Sequence, residues 1–381
     1  MASTVASRTI PSTMKAQHLD AFNTPYTLRT SLSVPKPTHP YDLLIQVDAA
    51  SYCHTDYVLA SGEMPPNPPS FPHVGCHEYA GTVVALPDNP ASTDIALGDR
   101  VGVGSRAYHP CGSCAECLDD SSPDSDPKGY SVYCPHIKTN GIGIDGGWQE
   151  YALVDARQVA PLPSSLTSVA AAPLMCAGVT IYAAIKKAGL QAGQRIGIVG
   201  CGGGLGHLGL QYATKMGLKV YGIDNADRPL ALARGLSNIP DAKIVDSRSE
   251  TAPQVVARIG AEDNKTVSAE MGLDAVIILP ESQPAFQYGV DLLRNHGKCV
   301  VVSFPQKGFH LSSHDLVFRD ITIIGSLVGT NKILREMVEF SAKHGIKAVV
   351  KTYPLDKLNQ LVEEYKGGYG GKLVVDYDYK E

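Results

Sequence analysis

The chain has 381 residues, 44% of them apolar and 19% charged, with a formal net charge of -5. This describes a globular chain too long for one ordinary core, so two domains are expected. There is no basic field to draw nucleic acid, and no apolar run reaches the roughly 18 residues that a membrane-spanning helix requires, so neither partner is expected.

The first thirteen residues, M-A-S-T-V-A-S-R-T-I-P-S-T, are rich in Ser and Thr and lack acids. They read as a tail ahead of M-K-A-Q-H-L on a cytoplasmic protein, with a short mitochondrial-matrix presequence as the alternative. No secretory signal is visible, so the nine cysteines point to metal or catalysis rather than disulfides. Residues 42–103 are β-rich, with D-L-L-I-Q-V and Y-A-G-T-V-V-A-L as strands between Pro- and Gly-rich turns. The proline-dense stretch P-P-N-P-P-S-F-P at 65–72 can only be an extended loop. Residues 119–129 are acidic and Pro-punctuated and are expected to be an exposed loop.

Between these stretches lie two candidate metal sites. C-G-S-C-A-E-C supplies Cys111, Cys114 and Cys117, and Cys134 follows after sixteen residues. Four thiolates close a tetrahedral zinc shell that holds a lobe together and does no chemistry. The second candidate is scattered: Cys53 in C-H-T-D, His77 in G-C-H-E-Y-A-G and Cys176 in L-M-C-A-G-V-T. Two thiolates and an imidazole would leave a fourth position on zinc for water or substrate. Spacing alone does not assemble these three residues, and each taken singly is equally an ordinary buried Cys or His.

The grammar changes near residue 178. Strand-like R-I-G-I-V-G is followed by a helix to Met216 and by L-K-V-Y-G-I-D. Further strands are expected at A-K-I-V-D, L-D-A-V-I-I-L, G-K-C-V-V-V-S and I-T-I-I-G-S, and a helix over 331–343. Strands alternating with helices imply a parallel sheet. Between the first strand and its helix stands G-C-G-G-G-L-G-H, in which Gly200, Gly203 and Gly206 fit a G-x-x-G-x-x-G spacing, with Gly204 and Leu205 between them. Bare backbone at a helix N-terminus accepts a pyrophosphate. Eighteen residues past Gly206, Asp224 ends the next strand, where a carboxylate binds ribose hydroxyls and repels a 2′-phosphate. NAD is therefore expected over NADP, with the nearby Arg228 as the complicating residue.

Together these motifs resemble the zinc-dependent alcohol dehydrogenases of the medium-chain dehydrogenase/reductase superfamily, most of all the yeast-type branch. The resemblance runs from Met14 to Tyr377 and also rests on G-D-R-V at 98–101, G-G-W-Q-E-Y-A at 146–152, G-S-L-V-G at 325–329 and G-K-L-V-V-D at 371–376. It implies an α/β Rossmann doubly wound sheet (178–327) inserted in a GroES-like β-barrel catalytic domain (1–177 and 328–381), with a structural-zinc lobe at about 105–136. It also implies two zinc ions per chain, NAD, a small alcohol or aldehyde substrate and a homo-oligomer, with a tetramer favoured over a dimer.

Residue roles follow from the same resemblance. Cys53, His77 and Cys176 would hold the catalytic zinc, and Cys111, Cys114, Cys117 and Cys134 the structural one. Glu78 would sit beside the catalytic zinc, and Asp56 would orient the His77 imidazole. Thr55 would take the alcohol's proton. His54 and Lys372 would touch the pyrophosphate, and Thr180 would pack on the nicotinamide. Main-chain groups of Val302, Ser326 and Val328 would hold the carboxamide.

The chain departs from the family at Val58, where many members place a proton-relaying His; a shortened relay is expected. Met64 stands where yeast-type enzymes carry a Trp, and Arg106 and Ala107 replace a bulky aromatic region, so a roomier substrate pocket is expected. The loop between Cys117 and Cys134 is longer than the family's usual spacing. Three other readings stay open: a biosynthetic reductase of a larger aldehyde or ketone (cinnamyl-type or secondary-metabolite), possibly using NADPH; a zinc-free reductase of the same superfamily; and a zinc-stabilised, NAD-binding protein without activity.

Overall fold

The computed structural model describes residues 9–104, 108–126, 130–131 and 133–380. Arg106 and Ala107, and the first eight residues of the N-terminal tail, lie outside the described residues. Fifteen strands are present among those described: β1 Thr13–His18, β2 Thr27–Ser33, β3 Asp42–Ser51, β4 Tyr79–Ala85, β5 Arg100–Val103, β6 Tyr151–Asp155, β7 Val159–Pro161, β8 Arg195–Val199, β9 Lys219–Asp224, β10 Lys243–Asp246, β11 Leu273–Ile278, β12 Leu293–Val301, β13 Thr322–Gly325, β14 Val350–Tyr353 and β15 Lys372–Asp376. No single helix among the described residues is long and apolar enough to cross a membrane.

β1 and β2 form a separate antiparallel pair. The first large sheet runs β14-β15-β3-β4-β5-β7, with β6 also pairing with β3. Its pairs are antiparallel except β14 with β15. β3 is buried along nearly its whole length because β4, β6 and β15 all pair with it, and its run L-L-I-Q-V-D-A-A supplies the apolar side chains this requires. The pairing of β15 with the end of β3 returns the last strand of the chain to the segment where Cys53 begins, and Tyr52 N–H donates to the Leu373 carbonyl at 2.9 Å.

The second sheet is entirely parallel, in the order β10-β9-β8-β11-β12-β13. Each of the short β-branched runs named from sequence is one of its strands, and β8, fully buried, lies at its centre. The chain winds outward from β8 to β10 and then from β11 to β13 on the other side. The switch point is therefore the gap between the carboxyl ends of β8 and β11, where such sheets open a ligand crevice. The helices Ala177–Ala188, Gly206–Lys215 and Asn331–His344 share one core cluster on this sheet, which includes Ile181, Leu208, Tyr212 and Met337. Each such fully buried side chain contributes roughly 1.5–3 kcal/mol of apolar burial.

C-H-T-D opens the helix His54–Ser61. Cys53 caps it: the Asp56 carboxylate accepts the Cys53 N–H at 2.8 Å, and Gly62 closes the other end at φ 82°. The acidic loop after Cys117 is not simply exposed. Asp126 is buried and accepts the N–H groups of Asn331 and Lys332 at 3.1 and 2.9 Å, capping the helix Asn331–His344. A Pro-punctuated acidic sequence looks solvated, but here its carboxylate is the first-turn partner of a distant helix. The 65–72 stretch contains neither helix nor strand, as expected.

Candidate active site

Cys53, His77 and Cys176 come from three separate elements. Cys53 follows β3, His77 precedes β4, and Cys176 sits at the bend between the 3-10 turn Ala172–Met175 and the helix Ala177–Ala188. Their ligand atoms lie within 4.8 Å of one another. Asp56, 1% exposed, positions two of the three. One of its oxygens holds Cys53 N–H; the other accepts Cys76 N–H at 3.2 Å and the His77 Nδ1–H at 3.1 Å. With Nδ1 donating, the His77 Nε2 keeps its lone pair, buried and without a partner among the described residues. Leaving such an atom unmatched costs roughly 1–3 kcal/mol. A hydrogen bond from Cys176 holds Cys53 well below the ordinary thiol range, aided by His77 and Lys372 against burial; the same contact, with burial, pushes Cys176 up. An imidazole lone pair and two sulfurs, one already inclined to be a thiolate, form a donor set that fits zinc.

Glu78 is fully buried behind these donors. One oxygen accepts the Ala177 N–H at 3.2 Å and the other pairs with the Lys372 ammonium. Burial raises the Glu78 carboxyl to about 7, with Lys372 opposing the rise. Lys372 also donates to the Tyr52 carbonyl at 2.7 Å. Two of its three N–H groups are thus engaged, and one remains for the crevice formed with Gly203 and Gly204. The His54 Nδ1 lies 2.9 Å from the Tyr365 hydroxyl and its Nε2 lies 3.6 Å from Glu281. The Thr55 hydroxyl is 4.0 Å from Cys53 Sγ and lines the same cavity.

The glycine loop crosses the switch point. Gly200 takes φ 84°, which favours glycine. A Cβ on Gly202 would fall 2.0 Å from the Pro229 carbonyl oxygen, and one on Gly206 2.1 Å from that of Gly200. A Cβ on Gly203 would meet nothing nearer than 3.5 Å, so the fold itself does not demand glycine there. The loop's strict requirement thus includes Gly202, which the 200-203-206 spacing passes over. Asp224 holds this turn: its carboxylate accepts Gly202 N–H at 3.0 Å and Asn225 N–H at 2.9 Å. Arg228 points elsewhere, donating to the Gly367 carbonyl at 3.4 Å.

A cavity of about 680 Å³ joins the crevice to the three donors. Cys53, His77 and Cys176 lie on its wall, and so do the hydroxyls of Thr180 and Ser326, which are buried and unpartnered among the described residues. The N–H groups of Val302 and Ser326 already donate to the carbonyls of Ile278 and Val301, at 3.2 and 3.0 Å. A ligand amide there would meet carbonyls and the Ser326 hydroxyl. Val328 adopts φ 44°, a left-handed conformation uncommon for a β-branched residue. Met64 lines the cavity, whereas Arg106 and Ala107 fall outside the described residues.

Cys111, Cys114, Cys117 and Cys134 bring their four sulfurs within 4.8 Å of one another. A tetrahedral Zn–S₄ site with bonds of roughly 2.3 Å fits such a group. The lobe docks on the parallel-sheet half through Asp126 and through Asp124, which pairs with Lys186 at 3.0 Å. A third cluster, His39, Asp42 and His109, is a hydrogen-bonded knot. Asp42 accepts two backbone N–H groups, the Tyr108 hydroxyl and the His109 Nε2–H, so its lone pairs are used.

Sequence reasoning missed Gly202, Tyr365, Glu281 and the cavity residues Asn67, Thr139 and Ile142. Gly202 was legible as one more glycine in the loop. The others lie in segments without a motif and reach the site only through tertiary packing.

Residues 39–164 match the model of the alcohol dehydrogenase GroES-like domain, and residues 204–343 that of the zinc-binding dehydrogenase family. An alcohol dehydrogenase of Geobacillus stearothermophilus is 32% identical, over 96% of this chain and 100% of that protein. Among solved structures, the alcohol dehydrogenase of the hyperthermophilic archaeon Aeropyrum pernix is similar at TM-score 0.80 and 26% identity, covering 95% of this chain and 99% of that one. A cinnamyl alcohol dehydrogenase of Sorghum bicolor is similar at TM-score 0.79 and 25% identity, covering 97% and 98%. The chain therefore belongs to the zinc-dependent alcohol dehydrogenases of the medium-chain dehydrogenase/reductase superfamily.

Proposed function

We propose that this zinc alcohol oxidoreductase uses NAD and acts on alcohols larger than ethanol through Cys53, His77 and Cys176. The observation that carries the reading is the His77 Nε2, buried without a partner beside two cysteine sulfurs on the wall of a large cavity that opens on the switch-point crevice. When bound, zinc at these donors and the nicotinamide beside Thr180 supply a Lewis acid for the carbinol oxygen and an acceptor of two electrons. The chain's own residues do the remainder. Asp56 fixes the His77 tautomer, and Glu78 with Lys372 ties Tyr52, Ala177 and β15 together. The Thr55 hydroxyl accepts the substrate's proton and releases its own to solvent, because Val58 has no group to receive it. His54 and the remaining N–H of Lys372, on the crevice beside Gly203 and Gly204, would hold the phosphates, and the four-cysteine lobe would hold a second zinc that takes no part in the chemistry.

NAD is favoured by Asp224, whose carboxylate would repel a 2′-phosphate, and by the engagement of Arg228 with Gly367. The apolar wall of Met64, Ile142, Phe304 and Leu327 favours a substrate larger than ethanol and keeps open, as second reading, a reductase of larger aldehydes or ketones using NADPH. A homo-oligomer is supported by the edge strand β13, which pairs only with β12 among the described residues, and by the exposed Leu316, Val317, Phe318 and Ile323 near it. The test is NADH and NADPH formation across primary, secondary, allylic and aromatic alcohols, with zinc counted per chain. Two zincs and faster turnover of bulky alcohols with NAD are expected. A preference for ethanol or for NADP would refute the corresponding part.

A further inference from the structure

The cavity has a polar end that none of the roles above uses. Beyond the three donors and the cofactor-side hydroxyls, its wall is mainly apolar: Met64, Ile142, Leu327 and Phe304. Besides His54, Thr55, Glu281 and Ser303, two further polar side chains line it, Asn67 and Thr139, both half-buried. Neither the Asn67 carboxamide nor the Thr139 hydroxyl has a hydrogen-bond partner among the described residues. They come from distant stretches that meet at one point. A Cβ built on Gly143 would lie 3.6 Å from Asn67 Oδ1 and 3.6 Å from the Thr139 nitrogen, so the two residues flank that glycine. Both supports are stiff. Asn67 N–H closes a turn on the Met64 carbonyl at 2.9 Å within the proline-dense loop. The Thr139 carbonyl accepts the N–H groups of Ile142, Gly143 and Ile144 at 3.1, 2.8 and 3.2 Å, which holds the turn that presents Thr139 and Ile142 to the cavity.

We infer that Asn67 and Thr139 form a recognition subsite for a second, uncharged oxygen of the substrate, a hydroxyl set apart from the reacting carbinol by an apolar stretch. A carboxamide and a hydroxyl together both accept from and donate to such a group. Both side chains are uncharged, and each can donate as well as accept, which matches a neutral hydroxyl. Met64 and Ile142 cover the apolar stretch between the two oxygens. A site arranged to hydrogen-bond a hydroxyl discriminates against the analogue lacking it, because its polar groups are then left dry and unpaired. This inference rests on the dehydrogenase reading of the same site and names its substrate class.

The experiment compares α,ω-diols of four to eight carbons with the matching 1-alkanols, using the zinc-loaded enzyme and saturating NAD. The ratio of kcat/KM for diol over alkanol should peak at one chain length, at about tenfold or more for two neutral hydrogen bonds. In Asn67→Leu and in Thr139→Val that ratio should fall several-fold at the same length, while Thr139→Ser keeps it. The shift of Tm by each alcohol in the NAD-saturated protein reads the same preference without turnover. Alkanols equal to or better than diols at every length, or ratios unchanged in both variants, would overturn the subsite. Absence of NADH with both series would overturn the dehydrogenase reading itself and the subsite with it.

Discussion

Asp56→Asn removes one charge and changes almost no volume, which makes it the sharpest probe of how the site is organised. The carboxylate accepts from three donors at once: Cys53 N–H at 2.8 Å, Cys76 N–H at 3.2 Å and His77 Nδ1–H at 3.1 Å. A carboxamide has one oxygen and an NH₂ group, so either orientation sets a donor against a donor. If the NH₂ faces Cys53, the helix His54–Ser61 loses its cap. If it faces His77, the imidazole must give up its Nδ1 proton and carry it on Nε2, which then cannot ligate a metal. Hydrogen bonds to a charged group contribute roughly 1.5–3 kcal/mol each, and one is lost outright, so about 3 kcal/mol of stability should go. Removing the partner that orients a ligand imidazole typically costs 10–100-fold in metal affinity. Competition against a graded chelator, with zinc counted per chain, should therefore show one of two ions leaving about 10–100-fold more easily while the other is unchanged. A shift in the urea midpoint should accompany it. An unaltered zinc affinity and midpoint would refute the claim that this carboxylate sets the geometry of Cys53 and His77.

Replacing Cys111 with Ser should lower the zinc content from two ions to one and reduce thermal stability, and a variant that retains two ions would contradict the four-sulfur site. Asp224→Ser should raise the NADP/NAD ratio of kcat/KM by about tenfold or more through loss of like-charge repulsion, and an unmoved ratio would mean the carboxylate only braces Gly202. Although burial works against it, the Asp42 carboxyl is held down at about 2, below its ordinary 3.8, by His109, two backbone N–H groups and Tyr108. Because the folded value is the lower one, its contribution is present above about pH 4 and lost as pH falls through 2. Asp42→Asn should thus cost about 2 kcal/mol at pH 7, with the gap from wild type closing between pH 4 and 2. Introducing His at Val58 should accelerate turnover on the acid limb of the pH profile, and an unchanged profile would mean that proton release does not limit the rate.

The parallel sheet was readable because its strands are short β-branched runs set between helices, a pattern dictated by burial on both faces. The four-cysteine lobe was readable because its ligands are close in sequence. The scattered trio was different. Composition and spacing never bring Cys53, His77 and Cys176 together; only the resemblance does, and the pairing of β15 with β3 and the bend at Cys176 are the physical means. The helix that begins after Cys53 was not legible because a cysteine is an uncommon cap, and the carboxylate that completes the cap also serves the metal site. Asp126 was misread for a related reason: its partners are backbone amides some two hundred residues away, which carry no sequence signal. The substrate end, Asn67, Thr139 and Ile142, lies on loops whose residues reveal their neighbours only after folding.

The most direct test is anomalous diffraction at the zinc edge from crystals grown with NAD. Two peaks per chain are expected, one enclosed by the sulfurs of Cys111, Cys114, Cys117 and Cys134. The other should sit among Cys53, His77 and Cys176, with a fourth ligand that does not come from the protein. No peak at the second position, or one capped permanently by Glu78, would contradict the catalytic assignment.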